Sequence, residues 1–195
     1  MNKVITLLEK TGAFLSGHFL LSSGRHGDSY FQCAKLLEYP DMAAEALSDL
    51  ALEIRKAMDE GRIKVDAIVG PAMGGIIVAY ELARQLGLPA FFTERDDSGQ
   101  MTLRRGFEIR EGQNLLIAED VVTTAKSSGE AAKALEERGG KIAALACIVD
   151  RRSPSIEIPW PIFSACKIEA ESWEEKDCDL CKKGIPLVKP GSRKI

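Results

Sequence analysis

Between residues 41 and 150, short apolar runs alternate with longer amphipathic ones, and this alternation restricts the fold more than any other feature of the chain. Val65 to Val69, Pro89 to Thr93, Asn114 to Ala118 and Ile142 to Val149 are short and nearly continuous in apolar residues, as strands buried on both faces must be. A helix is expected after Pro40, with Asp41 placed to cap it. Its residues Ala43, Leu47, Leu50, Ile54 and Met58 recur at three- and four-residue spacing, and it ends near Gly61. Gly74 and Gly75 open a second helix that runs to Leu86 and stops at Gly87; a third spans Ser127 to Arg138. Such a βαβαβ rhythm predicts an α/β fold, a mostly parallel central sheet flanked by helices, with ligands beyond the carboxyl ends of the strands.

The first forty and last forty-five residues break the rhythm with loop signals such as Ser22-Ser23-Gly24 and Pro159-Trp160-Pro161. They are read as a small hood, about 1–40 and 151–195, over a core of about 41–150, the whole (1–195) being a single domain. A chain of 195 residues, 45% hydrophobic, can bury one substantial core. Its 26 basic and 29 acidic residues nearly cancel, so no global positive field points to nucleic acid or an anionic membrane. The amino terminus, MNKVITLLEK, is too short and too interrupted for a secretory signal or a membrane span, and a cytoplasmic setting is expected.

Five scattered cysteines fit reduced thiols better than a disulfide framework. Cys178 and Cys181 form a C-x-x-C that could be half of a tetrahedral zinc site. With no second C-x-x-C or suitably spaced histidine pair beside it, a reduced surface turn is expected. The two histidines, His18 and His26, lie in the hood and are read as turn residues without a catalytic role.

The segment LLIAEDVVTTAKSS, Leu115 to Ser128, carries the chemistry. A buried strand delivers Glu119 and Asp120 to its end, and a hydroxyl-rich loop then leads into a helix, where Ser127 and Glu130 fit a capping box. N–H groups at that helix start, with Thr123, Thr124, Ser127 and the cation of Lys126, suit a phosphate monoester. Two carboxylates beside a phosphate would repel it, unless the ligand is a sugar whose vicinal hydroxyls donate to them. An acidic pair that merely ends a strand is the ordinary alternative. The order of apolar strand, two acids, two apolar residues and hydroxyls favours a phosphorylated ribose.

That order resembles the signature of type I phosphoribosyltransferases. With SGHFLLSSGRHGDSYFQCAKLL, IVGPAMGGI, MTLRRGF, EDVVTT, the Asp150-Arg151 pair and PLVKPGSR, nearly the whole chain is similar to orotate phosphoribosyltransferases. The resemblance implies the type I fold and transfer of a phosphoribosyl group from 5-phosphoribosyl 1-diphosphate (PRPP) to N1 of orotate, giving orotidine 5′-phosphate and diphosphate in pyrimidine biosynthesis. It implies Mg2+ carried with the diphosphate, without a dedicated protein cage, and a homodimer whose arginine-rich loop is shared across the interface.

Residue by residue, it implies that Glu119 and Asp120 bind the ribose hydroxyls and favour a cationic ribosyl transition state. Val121, Val122, Thr123, Thr124, Ala125, Lys126 and Ser127 would wrap the 5′-phosphate, Thr123 also meeting orotate. Met73 and Gly74 would hold the diphosphate, Arg151 would face the orotate carboxylate, and Tyr30, Phe31 and Gln32 would lie against its ring. The polar stretch Glu94 to Arg110 would include a lid whose Arg95 and Arg105, with Arg104 as a close substitute, neutralise the diphosphate; an exposed hairpin with solvated charges is the ordinary alternative.

Two departures stand out. The loop from Glu94 to Gly106 lacks the lysine and histidine common in relatives, which leaves the proton donor unassigned. Ala125 and Lys126 follow the hydroxyl pair where glycine is usual, and a right-handed loop throughout is expected. Two rival readings are a purine phosphoribosyltransferase, which needs no cation facing an acceptor carboxylate, and a non-catalytic PRPP-sensing or RNA-binding regulator, against which the charge balance weighs.

Overall fold

The structure, a computed structural model, describes residues 2–21, 24–168 and 171–190. Ser22, Ser23 and the end of the tail motif, Gly191 to Arg193, lie outside the described residues. The amino-terminal part comprises helix α1 (Lys3–Lys10), strands β1 (Phe14–Leu20) and β2 (His26–Phe31) and the short helix α2 (Ala34–Leu37). The α/β part follows: α3 (Pro40–Asp59), β3 (Ala67–Pro71), α4 (Gly74–Leu86), β4 (Ala90–Arg95), β5 (Met101–Leu103), β6 (Asn114–Val122), α5 (Lys126–Glu136) and β7 (Lys141–Asp150). The chain closes with β8 (Ile162–Lys167), β9 (Ser172–Trp173), a single 3-10 turn (Glu175–Asp177) and α6 (Asp179–Lys182).

Six strands form the central sheet in the order β5-β4-β3-β6-β7-β8, all parallel except the β4-β5 pair. The expected fold class is therefore present. The path leaves β3 towards β4 and then returns to β3's other side as β6, so the order reverses between β3 and β6. Open α/β sheets bind ligands at the carboxyl ends of strands flanking such a reversal.

Strand alternation divides the core between the two faces. Leu116 and Ala118 of β6 pack with α3 and α4, alongside Leu47, Leu50, Ile54, Val78 and Leu82. Leu115 and Ile117 pack on the other face with Ala131, Ala132 and Leu135 of α5 and with Met101 and Leu103 of β5. Each such fully buried Leu or Ile contributes roughly 1.5–3 kcal/mol relative to exposure.

Several local expectations change. Asp41 does not cap α3; Tyr39 holds the cap position and Pro40 the first turn, where its fixed φ and missing N–H cost nothing, leaving Asp41 to face the positive helix end. β6 runs past Ala118 to Val122 because β7 continues beside it, pairing Val121 with Val149 and Val122 with Asp150. Part of the arginine-rich stretch is an antiparallel edge strand with Met101 and Leu103 buried, so that part is neither a free lid nor a fully exposed hairpin. The segment 151–195, expected in the hood throughout, divides. Ile162–Lys167 becomes the sixth sheet strand, whereas β9 joins β1 and β2 in a three-stranded antiparallel sheet.

Candidate active site

Alternation along β6 also separates the two carboxylates. Glu119 follows Leu115 and Ile117 onto the α5 face, where Ser128 Oγ donates to its Oε1 at 3.3 Å. Asp120 turns to the α4 face. A Cβ placed on Gly74 would lie 2.5 Å from the Asp120 carboxylate, so only glycine lets the turn after β3 approach this acid. The turn carries a cis peptide between Ala72 and Met73. Gly70 and Gly75 make the same close approach possible one step deeper, since a Cβ on Gly70 would meet the Gly75 carbonyl oxygen at 2.2 Å. Met73, Gly74, Glu119 and Asp120 thus converge at the carboxyl ends of β3 and β6.

Burial sets the acid–base state of the pair. Glu119 is buried, and desolvation, followed by the Asp120 charge, pushes its carboxyl up to about 8 against the opposing Ser128 hydrogen bond. Desolvation also raises Asp120, opposed by backbone N–H groups including Val121, whose N–H donates to Oδ1 at 2.8 Å. Two adjacent acids raised by burial need hydroxyl donors or a cation to ionise together, which a ribose-bearing ligand would bring.

The phosphate loop opens beside them. Thr123, Thr124, Lys126 and Ser127 are exposed, Val121 half-buried and Val122 buried. The Gly129 N–H donates to the Ala125 carbonyl at 2.8 Å, so the N–H groups of Lys126, Ser127 and Ser128 stand in the unpaired first turn of α5. The expected capping box is absent: Ala125 occupies the cap position without a side-chain bond, and Glu130 instead pairs with Arg95. Ala125 is also not right-handed; at φ 54° and ψ 21° it takes the left-handed conformation. The sharp exit from β6 requires it whatever the residue, and alanine tolerates it at a cost of about 1–2 kcal/mol.

Beyond β7, Asp150 and Arg152 form a bidentate pair at 2.9 Å for both bonds, and Asp150 Oδ1 also accepts the Arg152 N–H at 3.1 Å. The pair leaves Arg151 to turn towards the hood. Its guanidinium lies 4.9 Å from the centroid of the Phe31 ring and donates weakly to Ser29 O and Oγ at 3.4 and 3.3 Å. Its Nε is buried without a hydrogen-bond partner among the described residues. Phe31 itself is buried and stacked on Phe14 at 4.8 Å, so it serves as a platform under Arg151 rather than as an open face for a base. Gln32 accepts from the Tyr30 hydroxyl at 3.1 Å, burial and then the charge of Asp120 raise that phenol, and Cys33 Sγ lies 4.0 Å from the Asp120 carbonyl oxygen. The hood therefore reaches the carboxylates.

The arginines are not gathered there. Arg95 bonds to Glu130 and to the Gly99 carbonyl, and Arg105 forms a bidentate pair with Glu94 at 2.9 and 3.0 Å. Arg104 reaches Glu94 at 4.0 Å. Among the described residues, no ion pair joins any of the three to Glu119 or Asp120.

A family model for the phosphoribosyl transferase domain matches residues 37–179. The orotate phosphoribosyltransferase of Caldanaerobacter subterraneus subsp. tengcongensis is 45% identical over 193 residues, 99% of this chain and 98% of the relative. The chain belongs to the phosphoribosyltransferase family. Among solved structures, it is similar to the orotate phosphoribosyltransferase from Aeropyrum pernix, with a TM-score of 0.68 at 26% identity over 85% of this chain and 93% of that one. It shares its fold with Leishmania donovani UMP synthase at a TM-score of 0.71 and 19% identity, covering 85% of this chain and 36% of that one.

Sequence reasoning missed three contributors to this candidate site: Ser29, which accepts from Arg151, the Asp150-Arg152 pair that frees it, and Ser128 on Glu119. Only Ser128 had a local signal, lying one residue beyond the hydroxyl-rich loop. The reduced surface turn expected at Cys178 and Cys181 is a correction of another kind. Cys178 is fully buried at the amino end of α6 and meets His18, while Cys181 meets both His18 and His26; the two histidines are buried and lie on strands rather than in turns.

Proposed function

We infer that the protein is an orotate phosphoribosyltransferase, joining the phosphoribosyl group of PRPP to N1 of orotate with release of diphosphate, and so serves pyrimidine biosynthesis. The observation that carries the choice of acceptor is Arg151, a half-buried cation held over Phe31 with its Nε unpartnered. A guanidinium in that state calls for a planar anion that accepts two parallel hydrogen bonds, and the orotate carboxylate is one.

In this reading the first turn of α5 and the hydroxyls of Thr123, Thr124 and Ser127 hold the 5′-phosphate, with Lys126 adding a positive charge. Ribose hydroxyls donate to Glu119 and Asp120, and Met73 and Gly74 offer backbone to the diphosphate. As diphosphate departs from the anomeric carbon, positive charge grows on the ribosyl ring beside the two carboxylates, which stabilise it. The departing oxygens need cations. Arg95, Arg104 and Arg105 are proposed to supply them from the partner chain of a homodimer, in keeping with their pairing to Glu130 and Glu94 rather than to Glu119 or Asp120 among the described residues. Exposed Met73, Ile77 and Tyr80 on one side of α4 and its preceding turn support a dimer face next to the site.

The donor set also fits Mg2+. Asp120, a hard oxygen donor against the glycine turn, together with substrate oxygens, would hold an ion that neutralises diphosphate. A cytoplasmic setting is supported by five cysteines without a disulfide. Replacing Arg151 with Met tests the acceptor assignment. Losing a charge-assisted pair worth about 3 kcal/mol lowers kcat/KM for orotate roughly 100-fold, while KM for PRPP changes little. Unchanged orotate kinetics would contradict the assignment.

A further inference from the structure

Outside the active site, His18 on β1, His26 at the start of β2, and Cys178 and Cys181 around α6 bring four soft donor atoms within 4.8 Å of one another. We propose that these residues bind one zinc ion, which fastens the carboxyl-terminal segment onto the hood. The spacing matches a tetrahedron. Metal bonds of about 2.0 Å to nitrogen and 2.3 Å to sulfur give edges of about 3.3 Å between nitrogens and about 3.5 Å between nitrogen and sulfur. The His18 Nε2 to His26 Nδ1 distance is 3.0 Å, and three of the four nitrogen–sulfur distances are 3.4, 3.7 and 3.2 Å, the fourth lying within 4.8 Å.

Ring chemistry points the same way. His18 Nδ1 lies 2.7 Å from the Ile185 carbonyl oxygen, to which it must donate, so Nε2 carries a lone pair facing the cluster. One lone pair cannot serve His26 and both sulfurs at once, whereas a cation between the four atoms engages all of them. Two sulfurs and two imidazoles select zinc over a hard oxygen-seeking ion such as Mg2+. With four protein donors the site is closed, hence structural. Binding turns both thiols into thiolates and passes their two protons to solvent.

The fold also shows why a staple belongs here. Among the described residues 171–190, Cys178 alone is buried, and α6 spans only four residues. Apolar burial therefore cannot dock this segment. Its other ties are polar: β9 pairs with β2 at Ser172 and Trp173, Val188 bonds to His18 and Leu20 backbone at 2.8 Å each, and Arg25 donates to Ser172 and pairs with Glu174 in an exposed bridge. The four donors join positions about 160 residues apart, and a link across so long a loop constrains the unfolded chain strongly.

The test uses the full-length protein, purified reduced and dialysed after zinc addition. About one zinc per chain is expected by elemental analysis, and cobalt(II) in its place should give the strong visible bands and thiolate charge transfer of a tetrahedral sulfur site. Cys181→Ser and His26→Asn should each weaken zinc binding at least tenfold in chelator competition. Should a variant fold poorly, the wild type still decides: Cys181, at the exposed rim, should resist a thiol reagent until a chelator is added. Wild-type protein without stoichiometric zinc, a Cys178–Cys181 disulfide, thiols whose reactivity ignores zinc and chelator, or variants that bind zinc as the wild type does would each overturn the proposal.

Discussion

Replacing Glu119 with Gln should make the free protein more stable, and increasingly so as pH rises. The Glu119 carboxyl, near 4.5 in an unfolded chain, is pushed up to about 8 in the fold by burial and by Asp120. Below pH 4.5 both states hold the proton and the group does not affect stability. Between 4.5 and 8 only the folded state holds it, so folding stability falls as pH rises; above 8 both have lost it and the loss is constant. At about 1.36 kcal/mol per unit of pKa, the cost is about 0.8 kcal/mol at pH 5 and about 4.6 kcal/mol at pH 8.5. Gln carries no charge, still accepts from Ser128 and keeps the volume. The stability difference between variant and wild type should therefore grow by about 4 kcal/mol between those two pH values, reduced to about 2 kcal/mol if water enters the ionised site. Urea unfolding of both proteins at each pH measures it, since titrating groups that do not interact with Glu119 cancel in the comparison. A pH-independent difference would refute the reasoning that Glu119 is a desolvated, partly protonated carboxyl.

Other perturbations separate the parts of the site. Asp120→Asn removes the acid nearest the glycine turn and should lower kcat/KM for PRPP roughly 100-fold, the usual scale for losing one preorganised electrostatic partner; wild-type kinetics would exclude its ribose role. Gly74→Ala must displace the Asp120 carboxylate or the turn, because its new carbon would lie 2.5 Å from that group; PRPP affinity in calorimetry should fall at least about tenfold. Ala125→Gly relieves a left-handed alanine and should raise the urea-unfolding free energy by about 0.5–1 kcal/mol, and a loss instead would mean that its methyl packing outweighs the backbone cost.

The parallel sheet and its carboxyl-terminal site were legible because both follow from local periodicity: apolar strands of the right length, helices with three- and four-residue spacing, and acids at a strand end. Even the divergence of Glu119 and Asp120 to opposite faces is implied by a period of two. What resisted reading depends on partners distant in sequence. β8 was hidden among Pro159, Trp160 and Pro161, since only its ladder with β7 makes it a strand. Glu130 was assigned to a capping box by spacing, yet Arg95, 35 residues away, claims it. The Phe31 ring was expected to face a base, but Phe14 and Arg151 occupy its two faces. His18 and His26 met Cys178 and Cys181 only after the hairpin and the tail were folded against each other.

The most direct test of the central claim is diphosphate release by the purified wild-type protein with Mg2+ and PRPP, supplied in turn with orotate, adenine and hypoxanthine. Release with orotate alone, matched by formation of orotidine 5′-phosphate, is the predicted result. Turnover with either purine and none with orotate would contradict it.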